Sequence, residues 1–122
     1  MATVLIVDDS MSARLLLKKR LVNNGYNTVE AEGGEVALAL LERENVDVVL
    51  LDLLMSDMHG TEVLERMRGQ DFKVPVIILS SDIQKATKNR CFELGAFDFM
   101  NKPVLEDREL LSYLERALAR SA

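Results

Sequence analysis

The sequence predicts an α/β fold, a doubly wound sheet of five parallel strands with five helices. Short apolar runs alternate with longer segments whose apolar residues recur at helical spacing, in the order βαβαβαβαβα. Three of the runs, such as Val4–Val7, are apolar at every position, which is typical of strands buried on both faces of a parallel sheet. Because no repeat or linker interrupts this alternation, we expect one domain over residues 1–122.

The second and fifth strands are predicted to lie toward the sheet edges, because polar residues interrupt their apolar runs. The strand order 2-1-3-4-5 is that of known flavodoxin-type sheets and does not follow from the sequence itself. The predicted strands are Val4–Val7, Thr28–Ala31, Val48–Leu51, Val76–Leu79 and Phe97–Met100.

Five amphipathic segments are predicted to form the helices between and after these strands. Gly25, Gly69 and Gly95 are predicted to end the first, third and fourth helices. The stretch from Ser81 to Gln84 predicts a capping box in front of the fourth helix. The apolar faces are Ala13, Leu16, Leu17 and Leu21, then Val36, Ala37, Leu40 and Leu41, then Val63, Leu64 and Met67, then Ile83, Thr87, Cys91 and Leu94, and last Leu110, Leu111, Leu114, Ala117 and Leu118.

The composition argues against several classes of protein. Twenty Asp and Glu against fifteen Lys and Arg give a net charge of −5, which disfavours direct binding to nucleic acid or an anionic membrane. With one cysteine, no signal peptide and no span of roughly 20 apolar residues, the chain is expected to be cytoplasmic. We interpret the basic residues of the first helix as a solvated face; they are Arg14, Lys18, Lys19 and Arg20.

Polar residues follow four of the predicted strands, at the ends where doubly wound sheets carry their sites. Asp8 and Asp9 follow the first strand and Asp52 the third, while Ser80 and Lys102 follow the fourth and fifth. We therefore expect three carboxylates, a hydroxyl and an amine to meet at one rim. Each of them alone could be a helix cap, a turn residue or a surface residue, but five such coincidences at one rim are improbable.

The three carboxylates predict a cation. Two unit charges about 5 Å apart repel by roughly 3 kcal/mol at an effective dielectric constant near 20, so the cluster needs a proton or a metal ion. An all-oxygen ligand set favours Mg²⁺. Zinc is disfavoured, because neither Cys91 nor His59 has a partner ligand.

Five motifs occur in the order and at the spacing of a known family: Val7-Asp8-Asp9-Ser10, Leu51-Asp52-Leu53-Leu54-Met55 with Gly60 following, Ile78-Leu79-Ser80-Ser81, Gly95-Ala96 and Lys102-Pro103. Together they resemble the response-regulator receiver domain, a family that is itself an example of the strand order above. The resemblance extends from Thr3 to about Arg120, so the chain looks most like a single-domain, CheY-like receiver with no output domain. A receiver fragment of a longer regulator is the alternative.

The resemblance implies that Asp52 accepts a phosphoryl group from a sensor histidine kinase or a phosphotransfer protein. It further implies Mg²⁺ ligands from the side chains of Asp9 and Asp52, the carbonyl of Leu54 and, largely through water, Asp8. Such a domain is a signalling switch that catalyses only its own phosphorylation and dephosphorylation, and is not otherwise an enzyme.

In the family, a hydroxyl and an amine contact the phosphoryl group, and Ser80 and Lys102 match those positions. The Lys–Pro bond is commonly cis. Output is expected through the face of helix 4, strand 5 and helix 5, with Phe99 at the switch position; a half-buried strand aromatic is the other reading of Phe99. Ile83, Gln84, Lys85 and Tyr113 are the other residues assigned to this face. The target, a motor, a phosphatase or a relay kinase, stays open, as does the choice between a monomer and a phosphorylation-dependent dimer.

The chain departs from the family pattern at four places. Ser56 stands where proline is common, which is expected to loosen the loop after strand 3. Leu54 and Asp82 flank the position of the hydrolytic water, so the phosphoryl lifetime cannot be carried over. Ser80 replaces threonine, and Phe99 lacks a tyrosine hydroxyl.

Three other functions share features with this sequence. A flavodoxin-like cofactor binder would need phosphate donors where Asp8 and Asp9 stand. An aspartyl phosphatase would need a second acid two residues after the first, but Ser10 and Met11 occupy those positions. A receiver-like docking module that is not regulated by phosphorylation usually lacks one of the acids or the lysine, all of which are present here.

Overall fold

The computed structural model describes residues 1–82 and 84–121. The described residues form a five-stranded parallel sheet in the order β2-β1-β3-β4-β5, which confirms the predicted fold class. The elements are β1 (Thr3–Val7), α1 (Met11–Asn23), β2 (Asn27–Ala31), α2 (Gly34–Arg43), β3 (Val48–Leu51), α3 (Gly60–Gly69), β4 (Val76–Ser80), α4 (Lys85–Glu93), β5 (Asp98–Asn101) and α5 (Asp107–Ser121).

The three central strands are buried on both faces, as their uniform apolar runs predict. Alternate residues point to opposite sides, so Leu5 and Val7 pack with α2, α3 and α4, whereas Val4 and Ile6 pack with α1 and α5. Two apolar cores therefore sandwich the sheet. The edge strands β2 and β5 are only partly buried, which agrees with their polar interruptions.

Three predicted helix ends are confirmed and one local prediction is wrong. Gly25 and Gly95 adopt φ of 89° and 98° just after α1 and α4. Gly69 is the last residue of α3, as predicted, and the left-handed residue after that helix is Asp71 at φ 61°, because Asp tolerates this conformation better than most side chains. The capping box is absent from the described residues: α4 begins at Lys85 with Gln84 as its N-cap and no side-chain cap bond.

Of the four basic residues of α1, Lys18 and Lys19 are exposed as expected, whereas Arg14 and Arg20 are less solvated. The side chain of Arg14 is 11% exposed and its Nε lies 3.3 Å from Glu30 Oε1, and Lys18 Nζ lies 3.5 Å from the other oxygen of Glu30. Arg20 pairs with Asp107 at 2.7 Å. Among the described residues, no helix combines the length and apolar character that a membrane span needs.

The start of α3 packs directly on the segment that carries Asp52. A Cβ at Gly60 would lie 2.7 Å from the carbonyl oxygen of Asp52 and 2.9 Å from Cα of Leu53. The Gly60 N–H donates to the Leu53 carbonyl at 2.8 Å. Only glycine allows this approach, so α3 fixes the backbone on which Asp52 is mounted.

We expect Gly60→Ala to lower the free energy of unfolding by roughly 1–3 kcal/mol, because a methyl group there overlaps backbone atoms. Gly69→Ala at the other end of α3 is the matched control. A Cβ there meets nothing within 4 Å, and alanine favours a helix over glycine by about 0.5–1 kcal/mol. Urea denaturation followed by circular dichroism measures both; equal losses for the two variants would contradict the prediction.

Candidate functional site

The polar residues predicted to meet do so at the carboxyl edge of the sheet. Because all strands are parallel and in register, with Val7 opposite Leu51 and Ser80 opposite Asn101, their ends lie at the same edge. Four separate stretches of the sequence are thus combined into one rim. That rim carries Asp8 and Asp9 after β1, Asp52 after β3, Ser80 at the end of β4 and Lys102 after β5.

Three carboxylates and one amine form the centre of the site. Asp8, Asp9 and Asp52 each offer an oxygen, and these atoms lie within 4.8 Å of one another. Asp8 is buried, Asp52 is half-buried and Asp9 is exposed. The Nζ of Lys102 lies 2.7 Å from Asp8 Oδ2 and 3.3 Å from Asp52 Oδ2.

The charges do not balance within this cluster. Burial raises the pKa of Asp52, the nearby amine of Lys102 opposes that rise, and the negative charge of Asp8 adds to it, so that the pKa lies above its usual value. For Lys102, burial lowers the pKa, but its hydrogen bond to Asp8 and the charge of Asp52 outweigh this and raise it. One ammonium thus faces three carboxylates, and a divalent cation bound by their oxygens would balance the remainder.

Each carboxylate is held by one backbone N–H. Asp8 Oδ1 accepts from Ser10 at 2.9 Å, and Asp52 Oδ1 accepts from Leu53 at 2.8 Å. Asp9 Oδ2 accepts from Ser56 at 3.0 Å. The acids are therefore oriented by the main chain of the loops that follow the strands.

Ser56 contributes a contact to the site that proline could not make, and its effect on the mobility of the loop after β3 stays a prediction. Proline would lack the N–H that Ser56 donates to Asp9. The next residue, Asp57, accepts from the N–H groups of Gly34 at 3.1 Å and Glu35 at 3.0 Å. It caps α2, whose own N-cap Gly33 has no side chain. The sequence contained one indication of this contact between Asp57 and α2, because α2 starts without a capping side chain of its own.

Two further residues of the rim were not predicted. The Nη1 of Arg14 donates to the Asp8 carbonyl at 2.6 Å, although sequence analysis placed Arg14 on a solvated face. The Nη1 of Arg20 donates to the carbonyl of Val104, two residues after Lys102, at 2.7 Å. Neither contact has a local signature, because each joins α1 to a residue of another segment.

The hydroxyl predicted at this rim is in place. Ser80 is fully buried, its Oγ accepts from the Asp82 N–H at 3.1 Å, and its carbonyl accepts from the Lys102 N–H at 2.9 Å. The Lys102–Pro103 bond is cis, as expected. The side chain of Leu54 is exposed, and the direction of its carbonyl stays a prediction.

The predicted output face lies to one side of this rim. Phe99 is 5% exposed and is therefore more buried than the half-buried strand aromatic considered above, while its switch role stays a prediction. Lys88 Nζ lies 5.8 Å from the centroid of the Phe99 ring. Gln84 and Lys85 are exposed and Tyr113 is partly buried, whereas Ile83 lies outside the described residues.

Known proteins are similar to this chain in both sequence and structure. The response regulator receiver domain matches residues 4–115. The transcriptional regulatory protein CpxR of Klebsiella pneumoniae is 39% identical over 99% of this chain and 51% of its own length. The chain thus spans about half the length of the curated relatives it matches.

Solved structures align over their whole length. Chemotaxis protein CheY4 of Vibrio cholerae is 33% identical with a TM-score of 0.88, covering 97% of this chain and 99% of that one. Response regulator TrrA of Thermotoga maritima, solved in complex with Mg²⁺-BeF, is 30% identical with a TM-score of 0.86, covering 97% and 100%.

The cap formed by Asp57 is expected to depend on pH. Its hydrogen bond from the Glu35 N–H lowers its pKa, burial opposes this, and the bond from Gly34 lowers it further, so that the pKa lies below its usual value. A pKa below the unfolded value of about 3.9 means that the stabilisation is present above that pH and is lost as the pH falls through the folded pKa. Asp57→Ala should therefore cost about 1 kcal/mol at pH 7 and progressively less below about pH 4. Urea titrations at several pH values test this, with Glu44→Ala as an exposed acidic control.

Removing the amine should expose the repulsion between the carboxylates. In EDTA at pH 7, we expect Lys102→Met to lower the free energy of unfolding by roughly 1–3 kcal/mol, less than for a fully buried pair. Added Mg²⁺ should raise the melting temperature more for this variant than for the wild type, because the amine no longer competes for the oxygens. Lys73→Met, which removes an exposed pair with Asp71, should change neither quantity. Equal Mg²⁺ responses in all three proteins would contradict the prediction.

Proposed function

Since the chain belongs to the response regulator receiver domain family, we propose that it is a phosphorylation-controlled switch in which Asp52 accepts the phosphoryl group. Receivers act as signalling switches in two-component systems, and this chain is a receiver of that kind. The observation that carries the proposal is the juxtaposition of Asp52 with two further carboxylates and the amine of Lys102.

Asp52 is suited to act as the nucleophile. An oxygen of its carboxylate would attack the phosphorus of a phosphohistidine, forming a P–O bond as the P–N bond breaks. The imidazole nitrogen leaves and takes up a proton, and Asp52 becomes an acyl phosphate. Lys102 Nζ, 3.3 Å from Asp52 Oδ2, would pair with the phosphoryl oxygens, a role suited to a compact ammonium. The Ser80 hydroxyl would donate to another of these oxygens.

Receivers bind Mg²⁺ in an acidic pocket, and the donor set here fits that ion. Asp9 and Asp52 would be side-chain ligands, with the carbonyl of Leu54, and Asp8 would act largely through water. When bound, Mg²⁺ supplies positive charge that offsets the carboxylates and the incoming phosphoryl oxygens. Asp9 keeps its orientation through Ser56, and Asp8 through Ser10.

The output face is proposed to be formed by α4, β5 and α5. Ser80 at the end of β4 lies beside Asn101 of β5, so a movement of Ser80 toward a phosphoryl group would act on the strand that carries Phe99. Because Phe99 has no hydroxyl, it would respond through packing alone. Gln84, Lys85 and Tyr113 would share this face, together with Ile83.

The partners are proposed from the family. A sensor histidine kinase or a phosphotransfer protein would be the donor, and a motor, phosphatase or relay kinase would be the target. We propose a single receiver domain over residues 1–122, a cytoplasmic location, and a monomer or a phosphorylation-dependent dimer. CpxR, by contrast, is about twice as long as the matched segment, so a receiver within a longer regulator is the alternative.

Incubation with Mg²⁺ and acetyl phosphate, followed by intact mass measurement, tests the proposal. We expect one phosphoryl adduct that is absent without Mg²⁺ and absent in Asp52→Asn. Asp47→Asn, at an exposed acid just before the amino end of β3 and so at the opposite end of that strand from Asp52, should form the adduct as the wild type does. A wild type that forms no adduct and does not bind beryllofluoride would favour the docking module that phosphorylation does not regulate.

A further inference from the structure

Arg20 joins α1 to the segment that follows Lys102. Its Nη1 donates to the Val104 carbonyl at 2.7 Å, and its Nε donates to Asp107 Oδ1 at 2.7 Å. Asn24 completes the cluster, donating to Asp107 Oδ2 at 3.3 Å and to the Arg20 carbonyl at 2.8 Å. One guanidinium thus contacts both the loop after β5 and the first residue of α5.

In this segment only Val104 packs against the core, and it is partly buried. Pro103 is exposed and Leu105 is 82% exposed. Lys102 is anchored on its amino side by the bond from its N–H to the Ser80 carbonyl. On its carboxyl side, the contact from Arg20 to Val104 comes two residues later, so the two bonds bracket the lysine.

One nitrogen of the Arg20 guanidinium lies in an unfavourable environment. Its Nη2 is buried and has no hydrogen-bond partner among the described residues, and the Arg20 and Lys102 side chains both line an apolar cavity of about 160 Å³. An unsatisfied buried donor is unfavourable, and the two charge-assisted bonds of Arg20 offset this cost. The hydrogen bonds from Arg20 and then Asn24 lower the pKa of Asp107, in agreement with a formed pair.

We propose that Arg20 is a positioning residue for phosphoryl transfer, holding Val104 and Asp107 so that the amine of Lys102 stays over Asp8 and Asp52. The inference rests on the proposed function of Asp52. Arg20 lies on α1 and does not belong to the acidic cluster, so its effect on the reaction passes through Lys102.

The test compares phosphorylation rates with acetyl phosphate at saturating Mg²⁺. We expect Arg20→Met to react roughly 10-fold more slowly, because the amine of Lys102 would be displaced from its position over Asp8 and Asp52. Arg20→Lys should not restore the rate, since one ammonium cannot reach both partners as a planar fork does. Arg116→Met, which removes an exposed arginine from α5, is the matched control and should react as the wild type does.

Two readouts separate positioning from a general loss of structure. Mg²⁺ affinity without a phosphodonor, measured by calorimetry, should change less than about 2-fold in Arg20→Met, because the acids keep their own backbone donors. In a Lys102→Met background, Arg20→Met should slow the reaction no further. If Arg20→Met slows the reaction in that background as much as it does in the wild type, the positioning role is overturned. A loss of Mg²⁺ affinity that parallels the loss of rate would overturn it as well.

The two proposals fail differently. If the wild type forms no adduct, the proposed function is wrong and the role of Arg20 is overturned with it. If the wild type reacts and Arg20→Met reacts at the same rate, only the role of Arg20 is overturned.

Discussion

Electrostatic repulsion between three carboxylates is the constraint on which the site depends. Asp8, Asp9 and Asp52 present oxygens within 4.8 Å of one another, and one amine offsets part of their charge. Repulsion between a pair of such charges costs several kcal/mol in a partly buried position. The fold must therefore hold the three acids together against this repulsion. The three backbone N–H donors and the packing of α3 against the Asp52 backbone provide that restraint.

The topology brings these charges together. In a parallel sheet every strand ends at the same edge, and the order β2-β1-β3-β4-β5 places β1 beside β3, with β4 and β5 following. Asp8 and Asp52, 44 positions apart in the sequence, therefore become neighbours. The apolar runs that bury these strands also determine the position of the acids, because each acid directly follows a run. The register of the strands links the packing to the site, because a one-residue slip would point a carboxylate toward the apolar core.

The predictable part of the molecule is the part that the main chain determines locally. Apolar runs and helical spacing predicted the elements, and residues directly after strands predicted the rim. Asp71 and Asp57 escaped prediction for different reasons. The left-handed backbone at Asp71 depends on a small energy difference that the residue types around it do not indicate. Asp57 caps a helix that starts 23 positions earlier, and although Gly33 indicates that a cap is missing, no local pattern indicates which distant residue supplies it.

Two of the contacts that escaped prediction, those of Arg14 and Arg20, share one element, α1. Its N-cap Ser10 follows the acids directly, Arg14 donates to the Asp8 carbonyl, and Arg20 donates to the Val104 carbonyl. The negative and the positive sides of the site are therefore fixed relative to the same helix. Lys102 follows β5 and Asp8 follows β1, yet the Nζ of Lys102 must lie 2.7 Å from Asp8 Oδ2. Because the segments of both residues contact α1, they do not have to be positioned independently of each other. A rim built from separate loops gains precision when one rigid helix contacts several of them.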